Sequence, residues 1–145
     1  QNTSTAMFGS NGLWHQSIGG IRFNGNSVGN GGVVHIKTNI WHGNSIMIGG
    51  NIRGYEYAPN AVDTDFHFYT YGGTSYVYGF GTYVKAYTGW GYGAYYSSDD
   101  YVVLYVCGLG AYAGFTLNFN NTSLLQNGEV CVRAWTAVLT TSAQY

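Results

Sequence analysis

Charge is what this chain has least of. Only 8% of its 145 residues are charged, against roughly 25% in ordinary soluble domains. The five basic residues, Arg22, Lys37, Arg53, Lys85 and Arg133, are scattered. No local basic patch can be assembled to neutralise a phosphate backbone, so a nucleic-acid partner is not expected. No run of about eighteen apolar residues occurs, so no membrane insertion through a helix is expected either. Proline is limited to Pro59 and cysteine to Cys107 and Cys131. Two cysteines are too few for a disulfide scaffold and lack metal-ligand spacing. Each lies in a strand-like run, which suits a buried free thiol; one disulfide between neighbouring strands is the alternative. Low charge with ample hydrophobicity is the opposite of a disordered composition. The length fits one domain with a real core. The chain starts at Gln1 with neither a basic n-region nor an apolar h-region, and is read as a processed product or a fragment.

Catalytic and metal signatures are missing as well. The histidines His15, His35, His42 and His67 form no H-x-H or H-E-x-x-H spacing. No G-x-S-x-G elbow is present. The acids are Glu56, Asp63, Asp65, Asp99, Asp100 and Glu129. Asp63 and Asp65 share a strand face and are the one pair that could flank a glycosidic bond; carboxylates that keep a neutral sheet soluble are the simpler reading. Asp99-Asp100 follows Ser97-Ser98, a turn composition. No catalytic residue, metal or cofactor is expected. Sequons at Asn2, Asn120 and Asn121 matter only in a secreted eukaryotic protein.

What the chain has in abundance is aromatic residues and glycine. Fourteen of the fifteen tyrosines fall within residues 54–112, with Lys85 the single basic residue there. In Tyr76-Val77-Tyr78-Gly79-Phe80-Gly81-Thr82-Tyr83 the alternation suits a pleated strand, and the aromatics make a surface able to stack on sugars. Residues 1–31, rich in Gly, Asn and Ser, read as a loop-rich lead-in. From Gly32 the period becomes two, the strand signal. Val34 and Ile36 form one face, with His35 and Lys37 opposite. Ile46, Ile48 and Ile52 face one way; Met47, Asn51, Arg53, Tyr55 and Tyr57 face the other. Phe66 and Phe68 point inward while Asp65, His67 and Tyr69 point outward. Further strands are expected at 76–87, 101–107, 113–119 and 129–139, with an ambiguous stretch near Leu124. Residues 32–145 therefore read as an all-β, antiparallel β-sandwich or jelly-roll-like knob.

Two segments bear on contacts. In 101–107 both strand faces are apolar or aromatic, whereas a sandwich strand normally shows one face to water; a subunit neighbour is the expected cover, a loop of the same chain the alternative. Residues 89–96 read as a surface loop. Its Trp90, Tyr92, Tyr95 and Tyr96 are the candidate receptor-binding residues, since loop aromatics give large contact area at low entropic cost; an intersubunit contact is the alternative use.

The run His35-Ile36-Lys37-Thr38-Asn39-Ile40, then Gly54-Tyr55-Glu56-Tyr57, a short turn and Tyr69-Thr70-Tyr71, resembles the C-terminal domains of tail-fibre proteins from tailed bacteriophages. The likeness covers about residues 33–138. It implies a homotrimeric β-structured fibre tip that acts in the virion, outside the cell, and binds a host cell-surface glycan or protein. It carries over no catalytic residue. A secreted lectin-like protein, a capsid decoration subunit and a polysaccharide-degrading tailspike using Asp63 and Asp65 are the competing functions.

Overall fold

The computed structural model describes residues 31–57, 60–120, 130 and 132–145, together with the backbone of 2–3 and 17–22. Among the described residues, ten strands form two five-stranded sheets that pack as a sandwich. They are β1 (Asn2–Thr3), β2 (Ser17–Arg22), β3 (Gly32–Trp41), β4 (Met47–Glu56), β5 (Asn60–Tyr69), β6 (Tyr78–Ala86), β7 (Gly91–Tyr96), β8 (Tyr101–Leu109), β9 (Gly114–Phe119) and β10 (Val132–Val138). One sheet runs β1-β10-β3-β8-β7 and the other β2-β9-β4-β5-β6. Every described pairing is antiparallel. The expected sandwich is the observed architecture. The lead-in supplies one edge strand to each sheet, β1 beside β10 and β2 beside β9.

Alternation places the core where the sequence put it. Val34, Ile36, Ile48, Ile52, Phe66 and Phe68 are all buried, while Met47, Tyr55 and Tyr57 are exposed. Phe66 stacks on Phe68 and meets the edge of Phe119, joining β5 to β9. Each such side chain contributes roughly 1.5–3 kcal/mol by leaving water.

Two expectations are corrected. Residues 91–96 are not a loop but strand β7, paired along its whole length with β8. The glycines that suggested a loop sit where the neighbouring strand presses closest. A Cβ on Gly93 would lie 2.2 Å from the Tyr105 ring, and one on Gly91 would lie 2.7 Å from Cys107 Sγ. Gly91 and Gly93 thus let large β8 side chains lie flat across β7.

The second correction concerns the doubly apolar strand β8. Val103 is fully buried within a single copy of the chain. The chain's own tail, residues 140–145, crosses this outer face. His35 on β3 meets the Thr140 carbonyl at 3.0 Å, Tyr95 Oη accepts from the Gln144 amide at 2.9 Å, and Ser98 N donates to the Tyr145 carbonyl at 2.9 Å. The same-chain alternative is the one realised, and β8 no longer argues for a subunit neighbour. Cys107 is a free thiol; Cys131, His15 and the stretch around Leu124 lie outside the described residues.

Candidate functional site

The four aromatics singled out in 89–96 do not share a surface. Trp90 is 4% exposed and donates from Nε1 to Glu56 Oε1 at 2.7 Å. Tyr92 points between the sheets, where its hydroxyl meets Thr64 Oγ1 at 2.9 Å. Tyr95, one residue out of phase, lies on the opposite face against His35 and the tail. Period-two alternation divides them. Only Tyr96 reaches an exposed aromatic surface, where its hydroxyl accepts from the Tyr71 amide at 3.3 Å.

That surface lies at the end of the sandwich where β3 finishes and β4 begins. Tyr71 stacks on Tyr69 at 6.4 Å, Tyr69 meets Tyr78 at 6.1 Å, and Tyr78 meets Tyr76 at 5.7 Å between ring centroids. Tyr71, Tyr76 and Tyr78 are each about half exposed. Trp41, 45% exposed, continues the strip through His42 to Tyr96. None of the hydroxyls of Tyr69, Tyr71, Tyr76 and Tyr78 is hydrogen-bonded to another described residue. The strip offers ring faces and polar atoms with no partner among the described residues.

Beside it, a cavity of about 500 Å³ opens on the outer face of β4, β5 and β6. Met47, His67 and Tyr69 wall it, and Gly49 and Gly79 leave its floor low. Ile48 and Phe68 turn their side chains into the core and offer only backbone. The dent has a local cause. Between the pairs His67–Gly81 and Tyr69–Tyr78 the edge strand β6 carries one extra residue, and Gly79 there takes φ +62°. This is a β-bulge, which kinks the strand and re-aims its side chains. Gly81 makes room for the imidazole of His67, since a Cβ there would lie 2.8 Å from Nε2.

No protein-family model, curated protein or solved structure matches this chain.

The carboxylate pair on the same face is tied up. Asn51 Nδ2 donates to Asp63 Oδ1 and to Asp65 Oδ1, both at 2.8 Å. Lys85 Nζ lies 3.4 Å from Asp63 and 3.2 Å from Asp65, and Arg53 lies 3.7 Å from Asp63. The Asn51 hydrogen bond and the Lys85 ammonium hold both acids below the ordinary carboxylate range. A glycosidase general acid needs the opposite shift. Asp63 and Asp65 are configured as a charge-balanced surface knot. Among the described residues no group of three or more His, Cys, Asp or Glu could hold a metal ion.

Sequence reasoning missed two things here. Glu56 was only one acid among six, yet it is 9% exposed and accepts from Trp90 Nε1, Gly110 N, Tyr87 Oη and Asn60 Nδ2. Its parity with Ile48 and Ile52 was the available signal. The cavity was also missed. Its signal was an outward histidine flanked across the sheet by glycine on both sides, Gly49 and Gly81.

Proposed function

We propose that this chain is the receptor-binding tip of a virion tail fibre, a homotrimer that recognises a host cell-surface glycan without catalysing a reaction on it. The observation that carries the reading is the strip of half-exposed tyrosines whose hydroxyls have no hydrogen-bond partner among the described residues. Aromatic faces stack on the apolar faces of sugar rings, and free phenols bond sugar hydroxyls. The ionised, saturated state of Asp63 and Asp65 favours binding over hydrolysis. The strand pattern from Ile36-Lys37-Thr38 to Tyr69-Thr70-Tyr71 supports the fibre assignment. Weak contact per subunit suits a fibre, which gains strength through multivalency.

A glycan array with the purified chain tests the reading. Binding to cell-surface polysaccharide is expected, weakened roughly tenfold by the double variant Tyr71→Ala/Tyr76→Ala at unchanged melting temperature. A wild-type chain that binds neither glycans nor intact cells would instead be an assembly subunit.

A further inference from the structure

The cavity beside the strip carries a more specific assignment, one that rests on the glycan-recognition reading above. We infer that the space between Met47, His67 and Tyr69 is a subsite for an uncharged pyranose ring, so that the ligand is a neutral rather than an acidic polysaccharide. Three observations converge on this class.

The first is the absence of charge to receive an anion. No carboxylate, ammonium or guanidinium group lines the cavity. The basic side chains described elsewhere are already engaged. Lys37 bonds Asp99 at 2.8 Å, Lys85 bridges Asp63 and Asp65, Arg53 faces Asp63, and Arg133 lies over the Tyr101 ring at 5.4 Å. An acidic sugar entering here would lose water around its carboxylate with no free cation among the described residues to replace it.

The second is the chemistry of the walls. Met47 is 67% exposed and presents a flexible thioether, and Tyr69 presents an aromatic ring. The Tyr69 hydroxyl and the His67 imidazole make no hydrogen bond to another described residue. Both can donate to or accept from sugar hydroxyls. An apolar wall beside a few free polar atoms matches a pyranose, which has an apolar face and a hydroxylated rim.

The third is shape. About 500 Å³ lies within the roughly 300–1,000 Å³ typical of small-molecule sites. The bulge at Gly79 that creates it sits on β6, an outer strand of its sheet, so a chain of sugars can pass along the edge while one ring enters. The Tyr71–Tyr69–Tyr78–Tyr76 row provides flanking platforms.

The test is calorimetric titration with neutral oligosaccharides of glucose, galactose or mannose, set against sialic-acid- and uronic-acid-containing oligosaccharides of equal length. Neutral binding is expected, weakened about tenfold or more by Tyr69→Ala. Met47→Lys, at an exposed position, should keep the fold and raise affinity for the acidic series by placing a cation at the rim. Preference of the wild type for acidic oligosaccharides overturns the inference and leaves glycan recognition standing. Neutral binding that ignores both variants moves the site elsewhere on the surface and likewise overturns it. No binding to any oligosaccharide overturns it too, and the recognition reading falls with it only if the chain also fails to bind intact cells.

Discussion

Among single residues, Glu56 has the largest structural consequence. A nearly buried carboxylate is costly unless its lone pairs are filled. Here four donors fill them, drawn from three stretches of chain: Asn60 at the start of β5, Tyr87 and Trp90 in the β6–β7 connection, and Gly110 after β8. Glu56 thereby ties both sheets together at the end opposite the tyrosine strip. Burial opposes its charge, but the hydrogen bonds from Trp90, Gly110, Tyr87 and Asn60 outweigh it and hold the carboxyl below its ordinary value. Glu56→Gln puts an amide NH₂ against two of the donors. We expect a loss of about 2–4 kcal/mol, measured as a lower urea midpoint at unchanged slope. The sign with pH follows from the lowered folded value. Stabilisation by Glu56 is complete above about pH 4.5 and decays as pH falls through the folded pKa. Asp99, which Lys37 and Ser97 hold down to about 2, behaves in the same direction. The acid limb of stability should therefore flatten in Glu56→Gln; a limb identical to wild type would show that Glu56 is not ionised in the fold.

At the scale of elements, β7 separates what was legible from what was not. Strands with clean alternation, such as Phe66 and Phe68 against His67 and Tyr69, were readable because side-chain period alone fixes their faces. Residues 91–96 were misread because glycine weakens a strand considered in isolation. Its use here depends on the partner: Gly93 pairs with Tyr105, whose ring occupies the space a side chain would need. No local window contains both residues. The same limit hid the cavity on β4, β5 and β6, which comes from a bulge between β5 and β6 rather than from any motif. The prediction for β7 is direct. Gly93→Val improves intrinsic strand propensity, yet it should destabilise the protein by about 1–3 kcal/mol because the Tyr105 ring must leave. Thermal melting checks this, and a raised melting temperature would mean that Tyr105 repacks freely. Replacing Tyr105 with Ala in the same chain should recover part of the loss.

For the molecule as a whole, the decisive arrangement is the tail laid over the outer face of β3, β7 and β8. Its fastening has a defined proton pattern. The Thr140 carbonyl can only accept, so His35 Nε2 donates to it and Nδ1 accepts from the Tyr95 hydroxyl, whose oxygen in turn accepts from Gln144 N and, more weakly, from Tyr145 N. Burial pushes the His35 pKa below its ordinary value, only partly offset by Thr140. The rings of Tyr95 and Tyr105 pack against it. The fold therefore holds His35 neutral. Its contribution is complete above about pH 6.5 and is lost as pH falls towards the lowered folded value. Removing residues 140–145 takes the Thr140 carbonyl from His35 and the Gln144 and Tyr145 amides from Tyr95. Because Val103 is buried by its own chain, Val103→Asp should unfold single copies rather than merely separate subunits, costing several kcal/mol. Its melting temperature should be low and independent of protein concentration, whereas a purely intersubunit valine would give a folded monomer and a concentration-dependent transition. The truncated chain should melt earlier and associate through the bared face, seen as added mass in light scattering. A truncated chain that matches the full chain in melting temperature and mass would show that the tail does not hold this face closed.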